Sequence, residues 1–214
     1  MYRPYIDLAK KVFPNANIVV DKFHIVQLLT RELNKLRINE MKKLNTRSKE
    51  YKILKRYWKI PLTKNWELNS IYFYKNTHFK NMTSSVDILD YMLGKFPNLK
   101  EAYDFYQNIL LSISKNDVAM LEDILNTRTD KIPMCFRKSI KTLKKLREYV
   151  VNSLKYDYTN AIVEGKNNKI KVIKRVSYGY RSFRNFKARI MLMERYKIQK
   201  GNIHSYKFAM DAAA

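Results

Sequence analysis

Apolar positions along this chain recur mostly with the 3.6-residue period of a helix, and only two short runs carry the composition of strands. Residues 4–12 predict a short helix with Ile6, Ala9 and Phe13 near one face, halted in "FPNAN" by Pro14 and two asparagines. The β-branched run at 18–20 predicts a short buried strand that ends at Asp21. Helical spacing then resumes, with Leu29, Leu33, Leu36 and Leu44 in one stripe that continues through Tyr51, Leu54 and Trp58 until Pro61 stops it. "SIYFY" at 70–74 is rich in strand formers, although a helix fits its surroundings equally well.

Further along, "SSVDILDYMLGKFPNLKEAYDFYQNILLSI" predicts two helices, the first capped by Ser85 and ended by Gly94, the second following Pro97. "DVAMLEDIL" is a third, and residues 133–155 are a longer fourth bearing Ile140, Leu143, Leu146, Val150 and Leu154. Another helix is expected from about Asn160 to Val176, broken at Gly179, and a last one over "NFKARIMLMERYKI" to near Gly201. The inventory is mainly α. One buried strand cannot form a sheet, and its backbone groups need partners, so part of the fold is expected to be missing from this chain.

Charge changes the picture most. The net charge is +24, which repels itself unless a polyanion screens it, and nucleic acid is the natural counter-charge. Residues 31–60 hold 11 Lys or Arg against 3 acids and residues 160–200 hold 12 against 2, whereas residues 86–125 hold 3 against 7. That asymmetry predicts a basic binding face and a separate neutral or acidic side; a generic Lys-rich solvated surface is the plainer alternative. A single cysteine, Cys135, excludes an internal disulfide, three scattered histidines lack zinc-ligand spacing, and there is no Gly-rich phosphate loop. No run of 18 apolar residues or signal-peptide core occurs, so a cytoplasmic, non-membrane protein is expected.

Three stretches carry candidate chemistry. In "TNAIVEGKNNKIKVIKR", a helix would bring Glu164, Asn167, Asn168, Lys171 and Arg175 to one face and turn Ile162, Val163, Ile170, Ile173 and Val176 to a core. Lys171, Lys174 and Arg175 would hold phosphates, and a carboxylate beside a phosphodiester calls for an intervening hard cation such as Mg²⁺. The alternative is that Glu164 only complements the helix dipole. In "VVDKFHIVQ", Asp21 lies at the carboxyl end of the expected strand, where α/β folds place functional groups, or else simply caps the next helix. In "SYGYRSFRNFKARI", Tyr178, Tyr180, Phe183 and Phe186 interleave with Arg181, Arg184, Lys187 and Arg189, a mixture suited to stacking on bases and gripping phosphates, or to a core with a solvated basic face.

Together "FPNANIVVDKFHIVQLL" and "NAIVEGKNNKIKVIKRVSYGYRSFRNFKARI", with the helix-rich segment between them, resemble bacterial insertion-sequence transposases of the DDE type, in the branch with D-x-F-H and E-G-x-N-N-x-I-K. The resemblance implies the carboxy-terminal part of an RNase H-like α/β domain with a large helical insertion: 1–24 the last strand region, 25–155 the insertion, 156–201 the catalytic-Glu helix and basic helices, 202–214 a tail. It implies that Glu164 is a catalytic acid and metal ligand, with Asp21 matching the D-x-F-H acid. The DNA-binding set it implies is Lys166, Lys169, Lys171, Lys174, Arg175, Tyr180, Arg181, Arg184, Lys187 and Arg189.

The implied cofactor of the intact enzyme is Mg²⁺ or Mn²⁺, with none necessarily held by this chain. The implied partners are double-stranded transposon-end DNA in the nucleoid and, among proteins, a second copy or a full-length transposase. Two further acids of the family have no counterpart here, so a truncated chain unable to cleave DNA alone is expected. The competing expectations are a non-enzymatic DNA-binding or dominant-negative partner, and a marginally folded product without function.

Overall fold

The computed structural model describes residues 3–127, 132–156 and 158–195. Its helices are α1 (Arg3–Val12), α2 (Lys22–Lys42), α3 (Lys49–Arg56), α4 (Ser85–Lys95), α5 (Pro97–Lys115), α6 (Val118–Asn126), α7 (Met134–Lys145), α8 (Arg147–Lys155), α9 (Ala161–Val176) and α10 (Phe183–Arg195). The mainly α class stands, and no strand forms among the described residues. The chain divides into two units, Met1–Thr159 and Asn160–Ala214. The expected tail at 202–214 and the helix end near Gly201 lie outside the described residues.

In the first unit the apolar stripe of α2 sets the packing. Ile25, Leu29, Leu33 and Leu36 recur at four-, four- and three-residue steps and are buried. α3, α5, α7 and α8 all pack on α2, and the stripe joins Leu99, Ile109, Phe136, Ile140 and Val150 in a continuous core. Burial of each such side chain contributes about 1.5–3 kcal/mol.

The helix boundaries show where local chemistry overrides periodicity. The stripe expected to run on to residue 58 is interrupted at 43–48. There the Asn45 side chain accepts the Arg47 N–H at 2.9 Å and the Ser48 hydroxyl accepts the Tyr51 N–H at 3.2 Å, starting a separate α3. α4 is capped by Ser84 rather than Ser85, through a reciprocal capping box with Asp87. Gly94 lies within α4. The helix ends because the Pro97 ring excludes helical geometry from Phe96, which sits at φ −127°, ψ 83°. The single helix expected over 133–155 is two, separated at Leu146, whose N–H is shared between the Thr142 and Leu143 carbonyls at 3.2 and 3.1 Å. Phe13, expected on the inward face of the first helix, is exposed, while Ile6 packs against the core.

Neither strand expectation is met. Residues 18–20 form no strand and are tied to a helix instead: the Val20 N–H donates to the Tyr149 carbonyl at 3.2 Å, and Asn152 Nδ2 donates to the Ile18 carbonyl at 3.0 Å. The tether gives one N–H and one carbonyl of the run a partner without a neighbouring strand. Residues 70–74 are irregular apart from an isolated antiparallel bridge between Tyr74 and Thr83, because the Asn69 side chain folds back onto the N–H groups of Ile71 and Tyr72.

Arg37 is the one cation buried among the described residues, at 6% exposure. Its guanidinium donates to the Leu54 carbonyl near the carboxyl end of α3, and Nε donates to Asn34 Oδ1 at 2.9 Å. The positive charge thus meets a carbonyl left over at a helix end, where the dipole favours it. Burial lowers its pKa from the usual arginine value. Arg37→Ala should lower the unfolding free energy by about 1–3 kcal/mol, read from the shift in urea midpoint, because it strands the Leu54 carbonyl in the core. An unchanged midpoint would show that the α2–α3 tie contributes nothing.

Candidate nucleic-acid interface

The described part of the second unit is the helical pair α9 and α10, which pack on each other. Lys169 Nζ on α9 donates to the Met193 carbonyl near the end of α10 at 3.0 Å. Two helices can cover only a narrow strip of each other. Ile173 is therefore buried and Ile170 partly so, whereas Ile162, Val163 and Val176, expected to face a core, are 73%, 53% and 70% exposed.

α9 opens with the Glu164 N–H donating to the Asn160 carbonyl at 2.8 Å. Glu164 is exposed in the first turn, and Asn167, Asn168, Lys171 and Arg175 follow it on the exposed surface at helical spacing. Lys166, Lys169 and Lys174 are exposed on the same helix, Arg181 is exposed after the turn, and Arg184, Lys187 and Arg189 are exposed on α10. Three residues of the helix contradict local propensity. Gly165 stands next to Glu164, and Asn167 with Asn168 follows, although all three are weak helix formers.

The end of α9 has an unusual construction. The Tyr178 N–H donates to the Arg175 carbonyl at 3.0 Å and the Gly179 N–H to the Lys174 carbonyl at 3.1 Å, the paired bonds of a Schellman helix end. In that motif the first residue past the cap is left-handed and is usually glycine. Here it is Tyr178, at φ 51°, with Gly179 next at φ 101°. An L-residue in that conformation costs about 1–2 kcal/mol. The expected break at Gly179 is thus made one residue earlier, and nothing in the residue string distinguishes that register.

The two tyrosines flanking Gly179 have opposite surroundings. Tyr180 is partly buried, its hydroxyl 2.7 Å from the Ser177 hydroxyl and its ring 4.8 Å from that of Phe186. It locks the turn. Tyr178 is fully exposed, and it borders a depression of about 340 Å³ lined by Lys171, Lys174, Arg175 and Gly179. Both tyrosines belong to the aromatic and basic mixture expected from sequence to suit base stacking, and only Tyr180 to the DNA-binding set that the resemblance implies; exposure separates them.

Asp21, in the first unit, is the N-cap of α2: its carboxylate accepts the Phe23 N–H at 2.7 Å, and the Thr159 hydroxyl lies 3.3 Å from its other oxygen. It does not stand at the end of a strand, since residues 18–20 form none. Mg²⁺ takes six oxygens, one or two of them from carboxylates and the rest from waters and substrate phosphates, and a two-metal centre needs several carboxylates converging on one place. Among the described residues no three His, Cys, Asp or Glu side chains gather at one place. The described part of α9 offers one exposed carboxylate, not a metal cage, so the donor set does not fit a two-metal centre on its own.

A family model described as "Transposase", for the ISL3 group of DDE transposases, matches residues 1–190. A curated relative from Lactococcus lactis subsp. lactis, named "ATP-dependent protease", is 37% identical over 121 residues, which is 56% of this chain and 38% of that protein. The chain thus spans well under half of that relative's length. That name and the family description differ, and the family match covers the larger share of the chain. No solved structure matches.

A Cβ added at Gly165 would meet nothing within 4 Å. Gly165→Ala should therefore stabilise α9 by about 0.5–1 kcal/mol, seen as slower amide exchange along residues 161–176. Faster exchange would mean that the glycine serves the helix itself.

Proposed function

Because this chain belongs to the insertion-sequence transposase family of the DDE type, we propose that its part in transposition is to hold transposon-end DNA along α9 and α10, with Glu164 presented beside a phosphodiester. The observation that carries this reading is the exposed side of α9, where one carboxylate leads into two amides and a row of cations. Lys171, Lys174 and Arg175 would contact successive phosphates, and Arg181, Arg184, Lys187 and Arg189 would extend the grip, fixing the position of the duplex without reading its bases. Asn167 and Asn168 would donate to phosphate oxygens near Glu164. Lys166 and Lys169 belong to the same basic surface, with Lys169 also tying the two helices.

Transposases of this family act on DNA and are generally dependent on a divalent metal. When bound, Mg²⁺ or Mn²⁺ supplies charge neutralisation and a polarised phosphoryl oxygen. This chain's contribution would be the Glu164 carboxylate as one ligand. Asp21 is a weaker candidate, because one of its oxygens already caps α2 and the other accepts from the Thr159 hydroxyl. We further propose that the chain alone does not transfer strands, since the acids among the described residues do not gather into a ligand set.

Two measurements test this. Replacing Lys171, Lys174 and Arg175 together by alanine should reduce the slope of log affinity against log salt by about 2–3, close to 0.9 for each phosphate that is no longer neutralised. In EDTA, Glu164→Gln should bind duplex DNA a few-fold more tightly than wild type, and Mg²⁺ should remove the difference, because the metal cancels the repulsion that the substitution abolishes. An unchanged salt slope would refute the DNA-holding assignment, whereas Glu164-dependent strand transfer by the purified chain would refute the proposal that the chain alone is inactive.

A further inference from the structure

Tyr178 combines features that the fold does not need. Its ring is fully exposed, so it adds nothing to packing. Its backbone is left-handed, at the helix-end position where glycine is usual and less strained. Gly179, immediately beside it, occupies a second positive-φ position of the same turn, at φ 101°. The ring borders an open surface depression that Lys171, Lys174 and Arg175 also line. Three cations around an open aromatic face form a site for a planar group attached to phosphates. The left-handed backbone closes the helix end, but the ring that it carries makes no packing contact, and a strained residue with an unused side chain points to use by a ligand.

We propose that Tyr178 stacks on an unpaired nucleobase of the bound DNA while Lys171, Lys174 and Arg175 hold the adjoining phosphates. This deepens the DNA-holding reading and rests on it. In a continuous duplex each base is covered on both faces by its neighbours, so a ring that stacks requires a base that is flipped out, frayed at an end, or exposed at a nick. The site would therefore prefer DNA whose helix is interrupted, as at a strand end where joining takes place, over a continuous duplex. Tyr180 cannot substitute, because its ring is engaged with Phe186 and its hydroxyl with Ser177.

The test compares a duplex carrying one unpaired 2-aminopurine, the same duplex fully paired, and a 2-aminopurine single strand. Wild type should quench the unpaired 2-aminopurine and bind both unpaired substrates more tightly than Tyr178→Gly does, by about 5- to 100-fold. Tyr178→Phe should remain close to wild type, and all three proteins should bind the paired duplex alike. Tyr178→Gly should melt at the same temperature as wild type or higher, so a loss of fold would be visible.

Equal affinity of wild type and Tyr178→Gly for the unpaired substrates would overturn the proposal while leaving the DNA reading intact. An equal loss on paired and unpaired DNA would also overturn it, because Tyr178 would then grip any DNA. Failure of wild type to bind any of the three would refute the DNA reading itself, and the base-stacking role with it.

Discussion

Forty-three lysines and arginines against nineteen acids must be arranged so that their mutual repulsion does not open the chain. The solution among the described residues is to confine burial to narrow apolar stripes and leave the cations outside, with Arg37 the exception. The stripe of α2 is the main one, and α3, α5, α7 and α8 all pack against it. Even Arg37 obeys the constraint in its own way. Its charge goes inward only where it meets a helix-end carbonyl and an asparagine oxygen, so the buried guanidinium is compensated there.

The second unit shows what the same constraint leaves for function. A helical pair buries Ile173 and little else fully, so nearly all of α9 is surface. That surface violates helix propensity at Gly165, Asn167 and Asn168 and strains the backbone at Tyr178. Sequences that depart from local preference at several neighbouring positions do so most often at functional sites. The departures share α9 and its terminus with the acid and the cations of the candidate interface. Local stability and ligand binding pull these residues in opposite directions, and at each of them the less stable choice stands.

Much of this is legible in the residues because the signals are local and redundant. α9 can be read almost to the residue, since its apolar and polar positions keep helical spacing from Asn160 to Val176. α5 is announced by Pro97 and α6 by the Asp117 cap. What periodicity cannot convey are choices decided by single hydrogen bonds or by tertiary neighbours. Ser84 and Ser85 are chemically identical as caps, and only the reciprocal bond with Asp87 selects the former. The β-branched run at 18–20 has strand composition, but α8 supplies its hydrogen-bond partners, and composition cannot reveal which element lies beside it. In the candidate site, the cations can be named from charge and spacing. The exchange of roles between Tyr178 and Tyr180 depends on a left-handed residue one position ahead of the glycine, which the string does not encode in any readable way.

Although lysines cover the whole molecule, the proposed function requires polyanion binding to be concentrated on α9 and α10. Lysine acylation read by mass spectrometry, with and without duplex DNA, tests that requirement residue by residue. Lys166, Lys171, Lys174 and Lys187 should lose several-fold in reactivity when DNA is added, while Lys35 and Lys100 in the first unit react as before. Uniform protection over both units, or protection centred on α2 and α3 with α9 unchanged, would contradict it.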